Sequence, residues 1–560
     1  MNSGSESDRA RSPRLRRVLW ALLALVVTAA AISWLSPPPA LGIPPPREPH
    51  EPVDPTNPPD PHDPSDPSDP TGHEPPPIFA PAAVCPDGAL PLAASEARDL
   101  ALRAATAIDP SPMTVAVVDR AGNVLALLRR PSGSTALDDR AIGLARTGAF
   151  FSSDQAPLSS RTVRFISGLH FPPGIRRTPN AALYGIENTN RGCDLNVAFL
   201  PGKAVPPARR FAGGACQSGS SGSTAGCGTG PVTGKPFRLD RLPEDRDASA
   251  VDPGGLPIFR AGHVVGGLGV ALAAPSPAAE YAAFSALAPP FAPPAGEILL
   301  DGIRLPFAAQ RTIPPGVSSG GAIGAFAAPP GDGACAPDEQ LAGPLAGSLL
   351  SAAEVSRIVG QAVAAANRTR AAIRLPAGSR TRMTIAVADL DGRILALYRM
   401  RDGTVFSIDV AVAKARNVVY LSGPSAEARL DMPGVAGLAV SNRTVDFTTQ
   451  HLYPPGIDGS GPGPFLALFQ NDLAHPCSQG SQPPNPNQNG IVFFAGSVPL
   501  YKGSTLAGGL GVSGDGVEQD DYVSFRGAEG FLPPPALWAD RVKIGGARLP
   551  FLKFPRNPER

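Results

Sequence analysis

Aromatic residues make up only 6% of this 560-residue chain, and charged residues only 17%. Packing must therefore rest on small aliphatic side chains rather than on large rings. Lys plus Arg exceed Asp plus Glu by one, and no basic stripe lies beyond the first residues, so nucleic acid is not an expected partner. The six cysteines include no CxxC and no Cys/His spacing of the zinc type. What the chain has in excess is proline (68) and glycine (61), together with one stretch written twice.

MTVAVVDRAGNVLALLRR begins at Met113 and MTIAVADLDGRILALYRM begins at Met383, in register as far as Ala145-Arg146 and Ala415-Arg416. Later blocks repeat as well. RTVRF and PPGI (Arg161 to Ile175) meet RTVDF and PPGI (Arg443 to Ile457), and LPIFRAGHVVGGLGV (Leu256 to Val270) meets VPLYKGSTLAGGLGV (Val498 to Val512). Each copy closes on RLPF, at Arg304 to Phe307 and Arg548 to Phe551. Two homologous domains in tandem are implied, each large enough for its own core.

Before the copies, a basic tail (1–17) leads into the apolar run Val18 to Leu35, long enough to span a bilayer as a helix with its N-terminus in the cytoplasm. It reads as a signal anchor at the inner membrane, with a cleaved signal peptide as the alternative, and either places the domains outside the cytoplasm. Residues 36–82 are dominated by Pro and Asp and read as a semi-rigid spacer, whose His50, His62 and His73 are solvated. The expected domains are 83–310 and 333–560, with a linker at 311–332.

Export suits disulfides. Cys85 and Cys335 open the two domains, Cys193 and Cys477 follow the PPGI blocks, and Cys216 and Cys227 sit in a Gly/Ser-rich insertion of the first copy. The economical pairing is Cys85 to Cys193, Cys335 to Cys477 and Cys216 to Cys227.

Within each copy the periodicities predict a helix (SEARDLALRAATAI; SAAEVSRIVGQAVAAANRTRAA), then a β-hairpin around Ala121-Gly122 or Asp391-Gly392. A second helix follows (ALDDRAIGLARTGAFF; SIDVAVAKARNVVYL), with Ala141 and Ala145, or Ala411 and Ala415, on one face. The GGLGV block predicts a late strand that permits close approach. Asp119 and Asp389 are expected to hold the hairpin turns.

These residues carry a family resemblance. A hairpin around Asp-x-x-Gly, the Lys414-Ala-Arg416 helix core, and Gly509-x-Gly511-Val-Ser513-Gly514 followed by Gln519-Asp520 resemble the GlcG/HbpS family, related to the C-terminal domain of PduO-type proteins. The resemblance covers most of Cys335 to Phe551. It implies an α/β (α+β) fold: tandem profilin-like domains, each an α/β/α layering with a five-stranded antiparallel sheet, commonly oligomeric. It also implies haem or a related tetrapyrrole as the ligand, with the two domains packing as a covalent version of the relatives' dimer. The first copy departs from the pattern, with Leu144 in place of Lys414 and Gly269-Val-Ala-Leu-Ala-Ala in place of the glycine loop.

A haem iron needs an axial donor in an apolar wall, and His170, His451 and Tyr453, beside the PPGI bends, would supply one. A loop-packing histidine is the alternative, since His170 and His451 stand one position out of register. His263 is a weaker candidate, its counterpart being a small polar residue. Lys414 and Arg416 would hold a propionate, or else form a solvated face. The Gly509-x-Gly511-x-x-Gly514 spacing matches a dinucleotide fingerprint but lacks a βαβ unit around it. Ser513 has no motif-linked His and no carboxylate pair recurs in both copies, so no catalytic residue is assigned. The favoured function is a membrane-tethered extracytoplasmic haem store, scavenger or sensor input. An envelope interaction module and a redox or small-acid-processing enzyme are the alternatives.

Overall fold

The computed structural model describes residues 90–163, 252–423 and 431–560, apart from short internal stretches. The expected span at 18–35, the spacer, His170, His451 and every cysteine but Cys335 lie outside them. Cys335 is disulfide-bonded. Among the described residues no helix is long and apolar enough to cross a membrane.

The first unit runs α1 (Ala94–Thr106), β1 (Met113–Asp119), β2 (Val124–Arg129), α2 (Thr135–Phe151), β3 (Gly255–Arg260), β4 (His263–Leu272), α3 (Pro277–Ala286), the hairpin β5 (Glu297–Leu300) and β6 (Ile303–Pro306), and β7 (Ala325–Ala328). The second runs β8 (Gln340–Ala342), α4 (Ala352–Arg368), β9 (Thr384–Ala388), β10 (Ile394–Arg399), α5 (Ser407–Leu421), α6 (Asn442–Thr448), α7 (Leu466–Ala474), β11 (Ser497–Lys502), β12 (Thr505–Ser513), α8 (Val517–Gly527) and the short hairpin β13 (Lys543–Ile544) and β14 (Ala547–Arg548). Two five-stranded sheets result, ordered β3-β4-β1-β2-β7 and β11-β12-β9-β10-β8, and every pairing in them is antiparallel.

Sheets with both faces covered read as unbroken apolar runs rather than alternations, and β1 and β9 are buried at every position. The helix α4 starts on a capping box: Ser351 Oγ accepts from Glu354 N at 3.3 Å and Glu354 Oε2 accepts from Ser351 N at 2.7 Å. Asp119 accepts from Asn123 N at 2.9 Å across the first hairpin turn, as the sequence suggests.

The second helix of each unit lies almost directly on the glycine strand. A Cβ on Gly267 or Gly269 would stand 2.0 Å from the carbonyl oxygen of Ala145 or Ala141. On Gly509 or Gly511 it would stand 2.2 or 2.1 Å from that of Ala415 or Ala411. Small residues on both partners are thus required by backbone contact.

The segment 311–332, expected as a linker, contains β7, which closes the first sheet against β2. The edge of β2 is otherwise open, and the pairing hydrogen bonds outweigh the segment's Gly/Pro character.

The two units meet head to tail. Residues 150–155 of the first unit, at the C-terminal end of α2, contact the connections before β9 and between β10 and α5 of the second. Phe151 stacks on Phe406 with ring centroids 4.1 Å apart, and Val405 N donates to Phe150 O at 3.0 Å. Asp154 N donates to Asp402 at 2.9 Å, Leu375 N donates to Gln155 O at 2.8 Å, and Asp402 is held by Arg374, which also pairs with Asp515. Asp402 adopts a left-handed φ of 62°, a conformation Asp tolerates better than most side chains and one that these bonds hold. Among the described residues, these contacts join non-equivalent parts of the two units.

Because Gly511 has no room for a side chain, Gly511→Ala is expected to destabilise the chain by about 1–3 kcal/mol through overpacking, read as a lowered urea midpoint with unchanged slope.

Candidate functional site

The helix α5 carries Lys414, Arg416 and Asn417, all fully buried. Lys414 Nζ donates to Asp520 at 2.9 Å and to Val512 O at 2.7 Å, and lies 5.2 Å from the centroid of the Phe494 ring. Burial pushes the Lys414 pKa down and that of Asp520 up, the attraction between them opposing both shifts. Arg416 Nε donates to Gly392 O of the β9–β10 turn at 2.8 Å, and burial pulls its pKa down to about 9. Asn417 Oδ1 accepts from Val492 N at 2.9 Å and from Asn442 Nδ2 at 3.2 Å.

On α6, Arg443 pairs with Asp521. Asp446 lies one turn on, accepts from Gln450 Nε2 at 3.3 Å, and is pushed up to about 8 by burial, with Arg443 opposing. This seam is internally committed. Lys414 and Arg416 are not a solvated face: both are buried, Lys414 on Asp520 and Arg416 on a turn carbonyl.

The glycine motif is also structural. Gly509 and Gly511 face α5 at backbone distance, Ser513 Oγ donates to Ser407 Oγ at 3.2 Å, and a Cβ on Gly514 would meet Arg382 O at 2.7 Å. The family motifs therefore meet one another: Lys414 binds the Asp520 that follows the glycine strand, and the strand seats the helix that carries Lys414. In the first unit Leu144 is buried apolar, and Glu280 pairs with Arg161 at 2.8 Å. His263 Nδ1 lies 2.6 Å from Asp154, away from the aromatic core of the second unit.

That core is separate from those beneath the two sheets. It gathers Tyr420, Leu421, Met432, Phe465, Phe469 and Phe493, with Phe469 edge-on to Phe493 at 5.3 Å. Leu438, Tyr453, Val542 and Ile544 pack on it while partly exposed. The Tyr453 hydroxyl donates to Arg548 O at 3.4 Å, and burial raises its pKa. Lys543 and Arg548, paired across the β13–β14 hairpin, are exposed beside Ile544. Tyr453 is thus the one predicted ligand that the described residues set in an apolar wall beside exposed cations, Lys543 and the Asp540-paired Arg548. The wall itself was not foreseen, since its rings come from positions far apart in the chain.

Residues 350–529 match the family model described as "Haem degrading protein HbpS-like". Two solved structures are similar. One is described as a PduOC:heme complex, at 20% identity over 33% of this chain and 95% of that one, with a TM-score of 0.22. The other is the Klebsiella pneumoniae protein ORFY, of the DUF336 family, at 18% identity over 32% and 88%, with a TM-score of 0.21. No curated protein matches.

Removing one partner of a buried ion pair leaves the other uncompensated. Lys414→Leu is expected to cost about 3–5 kcal/mol in urea unfolding, and adding Asp520→Ala to recover part of that loss. For Asp446 the folded pKa is raised above the unfolded value of about 3.9. The folded chain then holds a proton that the unfolded chain releases, so this contribution is fully present below about pH 4 and is lost as pH rises through about 8. Asp446→Asn is expected to lose less stability over that window than the parent chain, checked by urea midpoints across pH.

Proposed function

We propose that the second unit binds haem or a related tetrapyrrole, and that the chain displays it outside the cytoplasm as a store, scavenger or sensor input. The observation that carries this reading is the match of residues 350–529 to a haem-degrading, HbpS-like family model. The residues of the aromatic rim suit the group. A porphyrin asks for an apolar wall, an axial donor and cations for its propionates, and the rim offers Leu438, Val542 and Ile544, the Tyr453 phenol, and exposed Lys543 and Arg548.

In this reading His451 or Tyr453 ligates the iron, and Lys543 and Arg548 hold the propionates in place of the buried Lys414 and Arg416. His170 is the matching donor of the first unit. When bound, haem supplies iron redox chemistry, and the chain's own part is to seat it and limit water. The apolar run at 18–35 tethers the chain to the inner membrane, and the spacer 36–82 holds the units away from it, with the tandem copies sharing one exported body.

Haem titration of the full chain in detergent is expected to give a saturating Soret band. His451→Ala or Tyr453→Phe is expected to shift it, whichever supplies the ligand, and Arg548→Ala to weaken binding without shifting it. Absence of a saturable band would overturn the reading. A band that bleaches under reductant and oxygen would turn it toward haem degradation.

A further inference from the structure

The two sheets are closed by fifth strands of different origin. In the second unit the closing segment leads straight into α4. β8 pairs with β10 (Ala342 with Leu397, Gln340 with Tyr398), then Leu345 N donates to Leu395 O at 2.9 Å, Gly347 N to Leu350 O at 2.7 Å, and Ser348 N to Asp389 at 2.9 Å. Only two residues separate Ser348 from the helix cap Ser351.

In the first unit the same bonds are made by a segment that follows the unit instead of preceding it. β7 pairs with β2 (Ala328 with Leu127, Phe326 with Leu128), then Gly331 N donates to Leu125 O at 2.8 Å, Gly333 N to Leu92 O at 2.8 Å, and Ala334 N to Asp119 at 3.0 Å. Leu125, Leu127 and Asp119 stand where Leu395, Leu397 and Asp389 stand in the repeated stretch. The position is the same, but its occupant is not covalently continuous with α1.

What ties this occupant to the first unit is short. Ser318 is anchored on Asp109 by two hydrogen bonds, Asp109 N to Ser318 O at 3.0 Å and Ser318 N to Asp109 Oδ1 at 3.2 Å. Between that anchor and β7 lie Ser319 to Gly324, with three glycines. Gly320 and Gly324 hold positive φ values of 83° and 79°, and Gly320 has open space around it. Everything after the hinge docks on the first unit through surfaces that are complete in themselves: the strand site at β2 and the interface of Phe151, Asp154 and Gln155 with Phe406, Asp402 and Arg374.

We propose that the chain forms a strand-exchanged dimer with a second copy of itself: residues 325–334 and the second unit dock on the partner copy's first unit, with Ser319–Gly324 as the hinge. A reciprocal exchange remakes every contact between the units. The closed and exchanged forms then differ in the hinge conformation and the entropy of association, and concentration sets their balance. The heterologous interface, used reciprocally, becomes a closed two-fold dimer instead of an open filament. A fully extended hinge reaches only about 20 Å, so shortening it disfavours the closed chain more than the exchanged one.

The test uses the Leu128 and Phe326 pair, which face each other across β2 and β7. Full chains carrying Leu128→Cys and Phe326→Cys separately are refolded together, oxidised and peptide-mapped. The expected result is an interchain disulfide between positions 128 and 326 in the co-refolded sample, and none when the two chains are folded apart and then mixed. Deleting Gly320 and Gly321 is expected to move the sedimenting species from monomer to dimer. Co-refolded chains without that link overturn the proposal, as does a dimer that forms without it, because association would then use another surface. If the shortened chain fails to fold, the co-refolded pair carries the test alone.

Discussion

Backbone-to-backbone contact between a helix and a glycine strand is the constraint on which the rest of each unit depends. With Gly509 and Gly511 against Ala415 and Ala411, α5 sits so close to β12 that the polar side chains on its flanks have nowhere to go but inward. Lys414 is thereby carried to Asp520, Arg416 to the hairpin carbonyl of Gly392, and Asn417 to the strand-like stretch at Val492. A bulkier strand would lift the helix and strand these groups without partners, at the cost that buried unpaired charges carry. Glycine spacing and buried charges are therefore one device, and their joint appearance in the sequence reflects one physical requirement.

Much of the architecture was legible for that reason. The 3.6-residue periodicity of SIDVAVAKARNVVYL gives α5 at Ser407–Leu421, and the apolar doublets around Asp-x-x-Gly give the two hairpins. Fifth strands were not legible, because β7 and β8 are short, lie among Gly and Pro, and owe their form to the open edges of β2 and β10 rather than to their own propensity. The site was legible in its members and not in its roles. Lys414 and Arg416 are buried rather than solvated; periodicity does not say which side of α5 is covered, and the covering residues, Asp520 and Phe494, come from far along the chain. The aromatic wall escaped notice for a related reason: Phe465, Phe469 and Phe493 are distant in sequence from Tyr420 and Leu421 and converge on them only in the folded chain.

The divergence of the first unit follows from how charge is balanced there. With Leu144 where the second unit has Lys414, an acid at the matching place on the facing helix would be left buried and unpaired. Ala279 stands at the place of Asp520, and Glu280 pairs with Arg161 as Asp521 does with Arg443, so the seam keeps one ion pair and loses the other without an orphan charge. The first unit thus keeps the packing device and sheds half of its electrostatics.

A head-to-tail interface explains why such divergence is tolerated. Where two units meet through equivalent surfaces, each substitution acts twice and must suit both sides. Here the first unit contributes the end of α2 and residues 150–155, while the second contributes Arg374, Asp402 and Asp515, and among the described residues these are not equivalent positions. The connection that carries Arg374, between Arg368 and Thr384, is longer than its counterpart between Thr106 and Met113, so only the second unit presents that arginine. Arg374, buried against Asp402 and Asp515 of its own unit, fixes the connection that receives Asp154 N and Gln155 of the first unit. The ion network therefore shapes the receiving surface of the second unit, while Phe151 on Phe406 and the shared apolar cluster supply the adhesion.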